Sequence, residues 1–560
     1  DPITSYVETG NLQRISLNSG LDGNPQATGN IGGSLDLKLR RIGFGNRPSS
    51  EYHLSTGYES NGNIQVYGAD AQFSDSHFYT NFGIFFRHAD NYKAGDNLTV
   101  AFSQFQKMNT YLNMGFQPSN NHIFEATFIY DLATDVGYPA LNMDVKKAEG
   151  IIGAITYRHE GMEGFFNRWE TKLYTNRIVH IMDDTKRPNV EIHMDMPGRS
   201  HTSVLYSLLE GSQGIHRFKF NYDLYYNNLF ADMTMYPEDN PPMYMLTWPD
   251  VGTWNTGAAM SDDIILSDRH SFRVSLKGAW QHQKIQSDNG FHALSIYFPT
   301  LERTKGDFIW RSALSYQFKD HYLNFSLGLG YGNRAPSVTE SFGYFLNNTF
   351  DKYDYIGNPN LKKESAIELN GMVEWNNHNV DLKVESNVFF LQNYIIGKPD
   401  GRLSAMTIGA AGVKVYQNLN NARIVNVTFQ GNWYILSWLR LENRLTYSHG
   451  VESTNSYLPL IAPLIDRGAL KAIFDHWEIE MGMECAGKHS KYSKKYGETE
   501  TSGYEVFHFS AGHHLNFKEF SVDLHAGIEN VLDRKYTTYS DWNHILKKGR
   551  NIFINASFTL

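Results

Sequence analysis

The side chains best suited to chemistry in this sequence are soft metal donors, and they concentrate in two stretches. The first, residues 177–201, carries His180 and Met182 two positions apart, then His193 and Met196. Alternate residues of a β-strand point to the same side, so an H-x-M triplet places an imidazole beside a thioether. These ligands suit copper, Cu(I) above all, whereas calcium and magnesium take oxygen donors. His180 and Met182 are therefore the first candidates for metal ligands.

The second stretch, residues 233–245, contains two M-x-M triplets and adds Met243 and Met245 as weaker candidates. An ordinary structural explanation stays open for all of these residues. Among 16 Met and 22 His, some close pairs arise by chance, and Met packs readily as adaptable filler. His180 could also simply bond Asp183 or Asp184. We place His193 and Met196 in a loop that recruits metal.

Composition indicates a very large, evenly built unit and excludes several classes of protein. The 560 residues contain no linker-like tract, and 19% are charged. The net charge of -9 and the absence of a basic cluster exclude a nucleic-acid partner. A mean hydropathy of -0.44 excludes a helical membrane protein. The single cysteine, Cys485, excludes an internal disulfide framework.

Alternation of apolar and polar residues runs through many strand-length windows. The clearest windows are 218–226, 323–332, 380–388 and 551–560. A tilted strand of about 9–11 residues crosses a bilayer, and such strands must close so that no backbone group is left unpaired in lipid. The chain length then predicts an all-β fold, a transmembrane antiparallel β-barrel of about 22 strands.

Longer polar stretches between these windows are predicted to be extracellular loops. They are residues 183–200, 232–262, 333–363 and 486–503. A soluble β-sandwich array or a propeller would also alternate. The outward Tyr and Phe, among 34 Tyr and 35 Phe, and the lack of a repeat of about 40–50 residues argue against both.

Three separated regions resemble TonB-dependent outer-membrane receptors. They are Asp1–Glu8 with Asn11–Ile15 and Thr28–Leu37, Asn333–Ser337 with Gly357–Glu364, and Gly527–Tyr536 with Gly549-Arg550. The resemblance implies that residues 1–40 are the C-terminal end of a plug domain and that residues 41–560 form the receptor barrel. In the first region Gly29, Gly32 and Gly33 suit tight turns. The terminal Leu560 departs from the aromatic ending of many outer-membrane proteins.

The stretches Tyr138–Asp144, Val179–Asp184 and Met243–Asp250 are most similar to the copper-receptor branch of that family. In that branch an H-x-M pair on the barrel works with a Cys and a Met of the plug. The matching pair here is His180 and Met182, and we expect the plug partners upstream of Asp1. Cys485, far along the barrel, is a poor substitute for the plug cysteine.

The resemblance implies active import of a scarce nutrient across the Gram-negative outer membrane, with copper as the transported ligand, no required cofactor and no catalysis. Implied partners are TonB with the inner-membrane ExbB/ExbD complex, outer-membrane lipids and a surface lipoprotein. A siderophore, haem or cobalamin is the alternative cargo, with Tyr244, Trp248, Trp254 and Tyr344 as contacts. The lack of a histidine in residues 335–360 disfavours haem. A passive porin-like barrel and an outer-membrane enzyme remain alternatives of another class.

Overall fold

A computed structural model describes residues 3–21 and 31–560 and contains a closed barrel of 22 antiparallel strands, as the sequence predicts. The last strand pairs with the first, so no edge is left open. In chain order the barrel strands, β1 to β22, are Ser49–Glu59, Ile64–Ser74, Phe78–Ala89, Phe105–Ser119, His122–Val136, Asp144–Glu160, Phe166–Asp183, His193–Gln213, His216–Tyr236, Met243–Ile265, His270–Ile285, Thr304–Lys319, Leu323–Arg334, Glu364–Asn376, Val380–Pro399, Gly412–Leu436, Leu439–Glu452, Ile465–Phe474, Trp477–Ala486, Tyr504–Asn516, Ser521–Glu529 and Asn551–Thr559.

The alternation in the sequence becomes the two faces of the barrel wall. In β9 the rings of Phe220 and Tyr222 are 41% and 43% exposed on the outside, whereas Asn221 and Asp223 are buried toward the lumen. Leu327 and Leu329 of β13 point outward in the same way. A lipid-facing apolar face and a polar interior are what a membrane barrel requires.

Short turns join the strands at one end of the barrel and longer loops join them at the other, which assigns the loops to the extracellular side. Two of the predicted loops are wrong in part. Residues 193–200 belong to β8, and most of residues 232–262 belong to β9 and β10. These strands continue above the membrane, where outward side chains include Asp195, Asp232 and Thr234, and they stay paired although the register of β9 with β10 shifts around Ala231.

Short elements fill the loops. The helices α1 and α2 span Asp288–Tyr297 and Val338–Phe342, and the 3-10 helices are Ile3–Tyr6, Thr9–Asn11, Gly95–Asn97 and Lys494–Tyr496. Short strands occupy Lys93–Ala94, Leu98–Thr99, Leu346–Asn347 and Tyr353–Ile356. Within the described ranges, no helix combines the length and apolarity needed to cross a membrane.

The N-terminal segment forms a separate hairpin, Leu12–Ser19 with Gly33–Leu39, next to the lumen wall. Leu21 is buried against wall residues that include Ala366 and Leu391. A Cβ on Gly330 would lie 2.8 Å from the Leu21 side chain, so a glycine allows this close approach. Polar contacts also tie the segment to the wall: the Leu21 amide donates to Glu368, and Asn113 donates to Asn11 at 3.2 Å.

Of the three glycines predicted to form tight turns in the opening region, the structure describes only Gly32 and Gly33. Gly33 has a φ of +130°, and a Cβ there would meet the Asn18 carbonyl oxygen at 2.4 Å. A Cβ on Gly32 would meet nothing within 4 Å. Asp1, Pro2, Thr28, Gly29 and Asn30 lie outside the described residues. The assignment of residues 1–40 to a plug domain and of residues 41–560 to the barrel stays a prediction.

In the other two regions that resemble the family, hydrogen bonds and ion pairs from side chains hold the loops that follow a barrel strand. Arg334 at the end of β13 pairs with Glu340 at 2.8 Å and with Glu364 at 3.0 Å. Ser337 and Glu340 form a capping box that begins α2. After β21, the Asn530 side chain accepts from the Arg534 amide at 2.7 Å.

Candidate metal-binding site

His180 and Met182 both project into the upper lumen from β7, as their spacing predicts. Directly opposite His180 lie Ala148 of β6 and Gly198 of β8. These two residues are the smallest that can flank an imidazole in a ladder, so the ring is not crowded from either side. Two positions further up, Met182 lies opposite Met196 of β8.

The strand register extends this pair into a continuous group of methionines. Met194 of β8 lies opposite Met235 of β9, and Met233 lies opposite Met245 of β10. Met194, Met233 and Met235 are each 2% exposed. They belong to one buried apolar cluster together with Met182 and Met245. Three hairpins therefore bring soft side chains from four strands to one wall.

A cavity of about 490 Å³ lies against this wall beneath the extracellular loops. Six soft donors line it: Met143, His180, Met182, Met194, Met196 and Met233. Residues 345–349 and 407–410 of two loops cover it from above. These loops are joined by the buried Lys414 ammonium, which donates to Asp351 at 2.5 Å. The Ala411 amide also donates to the Lys352 carbonyl at 2.7 Å.

Met143 reaches the cavity from the loop between β5 and β6, which Arg187 holds in place. The Arg187 guanidinium donates to the carbonyls of Tyr138 and Met143 at 2.9 and 3.0 Å and pairs with Asp144. Asn142 donates to the Ile408 carbonyl at 3.1 Å, which fixes this loop to the cover. Tyr138–Asp144, one of the copper-receptor-like stretches, thus forms the rim beside His180 and Met182.

The cavity is chemically soft. None of the described residues that line it is acidic. Across residues 3–21 and 31–560, no group of three or more His, Cys, Asp or Glu side chains could hold a metal ion. A hard cation would therefore find no carboxylate here, whereas an ion that accepts thioether and imidazole ligands would find several.

His180 is held in its neutral form. Outward-facing Arg177 and Glu149 lie three and one positions before it in the two-strand ladder, so the ring sits above the apolar belt. Burial lowers the pKa of His180 to about 4, because burial disfavours the charged imidazolium. Neutral imidazole is the form that ligates metals, so no proton has to leave before an ion binds at neutral pH.

The weaker candidates for metal ligands lie in different places, and not all of them line the cavity. Met196 lines the cavity, but His193 is largely exposed and its Nδ1 bonds Asp184 at 2.9 Å. Met245 packs in the apolar cluster, and Met243 is 44% exposed away from the cavity lining. Cys485 lies on β19 and does not line the cavity. Met143, Met194 and Met233 also line it. The sequence placed Met194 only in the metal-recruiting loop and Met233 only in an M-x-M triplet, and it gave Met143 no role as a ligand.

The aromatic residues predicted to contact an organic cargo are not brought together. Trp248 lines the cavity and its indole N–H donates to Thr339 at 3.2 Å. Trp254 is 49% exposed on the outer face and Tyr244 is 56% exposed. Tyr344 packs edge-on against Tyr297. Only Trp248 of the four therefore reaches the methionine-lined cavity.

The comparison with protein families is decisive for the barrel. The model of the family TonB-dependent receptor-like β-barrel matches residues 5–531, nearly the whole chain. The chain belongs to this family. No curated protein sequence matches it significantly. The fold is that of receptors of the Gram-negative outer membrane, whose members work with TonB and are transporters rather than enzymes.

Solved receptor structures share this architecture over their barrels. The copper transporter OprC is 17% identical with a TM-score of 0.88, covering 100% of this receptor chain and 87% of its own. The FrpB iron transporter from Neisseria meningitidis (F3-3 variant) is 13% identical, with a TM-score of 0.75 and coverages of 98% and 88%. The siderophore receptor PirA from Acinetobacter baumannii is 10% identical, with a TM-score of 0.73, and the match covers 99% of this chain and 86% of PirA. At these identities the likeness establishes the fold alone.

Proposed function

We propose that this receptor actively imports copper ions across the outer membrane. The observation that carries the proposal is the convergence of one histidine and five methionines on a cavity that no carboxylate lines. The structural likeness to a copper transporter supports the same cargo. Iron, siderophore and haem receptors share the fold, so the choice among cargoes rests on the chemistry of the cavity.

His180 and Met182 are the proposed barrel ligands. Neutral imidazole and thioether donors carry no charge, so they favour the soft Cu(I) ion and bind it without the strong electrostatic trap that carboxylates would create. Met196, Met194 and Met233 supply further thioethers around the same cavity. A cysteine and a methionine from the plug are proposed to complete the coordination, as the family resemblance implies.

In this proposal the cargo moves without covalent chemistry. The ion enters from the extracellular loops, and TonB, driven by the ExbB/ExbD complex, rearranges the plug to release it toward the periplasm. A surface lipoprotein is proposed as a further partner on the loop side. The receptor needs no resident cofactor, because copper is its cargo.

The deciding experiment is an anaerobic titration of the purified full-length receptor with Cu(I), followed by elemental analysis. We expect stoichiometric copper in the wild type and its loss in the double variant His180→Ala/Met182→Ala. The matched control is Met260→Ala, because Met260 of β10 is 53% exposed on the lipid-facing side. Copper binding should be unchanged in that control.

Three outcomes would contradict the proposal. Equal copper binding in the double variant would reject the site. If the receptor binds no copper but retains a ferric siderophore or haem, that ligand and not copper is the cargo. A constitutive large conductance of the full-length receptor in a planar bilayer would instead favour the passive-pore alternative.

A further inference from the structure

A second groove, of about 380 Å³, lies on the outer face of β13 to β17 near their extracellular ends. One row of the barrel wall runs through it. Tyr331, Ile367, Phe390 and Arg423 lie directly opposite one another on successive strands, and Val451 completes the row on β17. Ile367 and Phe390 are 47% and 45% exposed, so this row faces outward.

The row marks the upper limit of the apolar belt. Two residues lower, the outward positions are Leu329, Leu369, Val388 and Val425, again in register. Two residues higher, the outward positions on β14, β15 and β16 are Ser365, Gln392 and Asn421. Phosphate groups of membrane lipids lie at this boundary between hydrocarbon and water, so the groove is at headgroup level.

Arg423 is the cation of this groove, and no residue that the structure describes balances its charge. Its side chain is exposed. Among residues 3–21 and 31–560, no acidic side chain forms an ion pair with it. The acidic residue of the groove, Glu452, is 6% exposed and pairs with Lys495 at 2.8 Å. A guanidinium at the headgroup level beside amides and hydroxyls is suited to a phosphate, which it can bind with two hydrogen bonds.

We propose that this groove binds the phosphate headgroup of an anionic lipid of the outer leaflet. The phosphate lies on Arg423, with Gln392 and Asn421 as amide donors at the polar edge. The acyl chain runs down over Ile367 and Phe390 onto the apolar row below. A soluble phosphate would use the arginine but not the apolar floor, which is why a lipid is the occupant. The site is separate from the copper cavity and does not depend on it.

The test is native mass spectrometry of the detergent-purified full-length receptor titrated with dipalmitoyl phosphatidic acid. We expect one tightly held lipid per receptor and about fivefold weaker binding in Arg423→Gln, the effect of one surface cation near a lipid phosphate. Arg423→Lys should be intermediate. The matched control is Arg402→Gln, because Arg402 is an exposed loop arginine paired with Asp400 at 2.6 Å. Its lipid affinity should equal that of the wild type.

Three results would overturn the proposal. The first is unchanged binding of phosphatidic acid in Arg423→Gln, provided that the barrel remains folded by its heat-dependent gel mobility. The second is equally tight binding of zwitterionic dipalmitoyl phosphatidylcholine. The third is displacement of the lipid by inorganic phosphate at equal concentration, which would indicate a site for a soluble anion.

Discussion

The lumen-facing side of β7 carries two opposite kinds of chemistry at its two ends. At the extracellular end, His180 and Met182 face a cavity without carboxylates. Toward the periplasmic end, Glu170 on the same face accepts from Arg158 at 3.1 Å, from Arg168 at 2.9 Å and from Tyr206 at 2.9 Å. One strand with one alternation thus presents neutral soft donors above and a charged network below.

This difference separates the residues proposed to bind the cargo from the residues that stabilise the barrel. The lower network is made of groups that are expensive to bury unless every charge is paired. The upper group is neutral, so it stays buried by ordinary apolar packing whether or not an ion is present. Changes at the lower end should therefore alter the stability of the barrel, whereas changes at the upper end should alter the affinity for cargo.

The largest expected effect is on stability at the lower end. Glu170→Ala removes the carboxylate that accepts from Arg158, Arg168 and Tyr206, while Arg158 keeps Glu125 and Arg168 keeps Glu160. Because hydrogen bonds to a charged group are lost, we expect the free energy of unfolding to fall by about 2 kcal/mol. The affinity for Cu(I) should not change. Urea unfolding followed by gel mobility measures the first quantity. Glu163→Ala, in the exposed turn between β6 and β7, is the control and should leave stability unchanged. A loss of Cu(I) affinity in Glu170→Ala comparable with that in His180→Ala would remove the distinction between the two ends.

A smaller effect is expected from the methionines that the register adds to the site. Met194→Leu and Met233→Leu keep the volume of the side chain and remove the thioether, so the unfolding free energy should change by less than about 1.5 kcal/mol. If these thioethers contact the cargo, the double variant should bind Cu(I) about tenfold more weakly, or about 1.4 kcal/mol. Anaerobic competition with a Cu(I) chelator measures this. Wild-type affinity in the double variant would restrict these residues to packing.

A still smaller effect is expected from pH. Since burial lowers the pKa of His180 to about 4, this ring stays neutral from pH 8 to pH 5 and no proton competes with the ion. The ratio of Cu(I) affinities of wild type and His180→Gln should therefore be constant over that range and shrink as pH falls through about 4. Taking the ratio cancels the titration of groups shared by both proteins. A ratio that already falls between pH 8 and pH 6 would show a normal imidazole.

The same pKa shift has a consequence for stability with a definite sign. An unfolded histidine titrates near about 6.5, so between that value and about 4 the unfolded chain holds one proton more at residue 180 than the folded receptor does. His180 therefore destabilises the fold progressively as pH falls through this window. His180→Gln should lose less stability than the wild type between pH 7 and pH 4.

The smallest expected effect marks the edge of the site. Met243 is 44% exposed and does not line the cavity, although its M-x-M spacing resembles that of the lining methionines. Met243→Leu should change Cu(I) affinity by less than about twofold, within the error of a competition titration. A loss comparable with that of the Met194→Leu/Met233→Leu variant would extend the site onto β10.

Much of the architecture followed from local sequence. The alternation in windows such as 218–226 predicts both the strands and the face that each residue occupies, because side chains of a strand alternate in direction. It also places His180 and Met182 on one side. The predicted loops over residues 183–200 and 232–262 were partly wrong, because above the membrane the outward side chains become polar while hydrogen bonding between strands continues.

The sequence by itself therefore determined the closed barrel and the shared face of His180 and Met182, since both depend on spacing within one strand. Only the tertiary structure decided which methionines meet them. Met194, Met196 and Met233 join the site through strand register, and Met143 through a loop held by Arg187. Register is set by pairing along the whole length of neighbouring strands, and such long-range contacts leave no local spacing in the sequence.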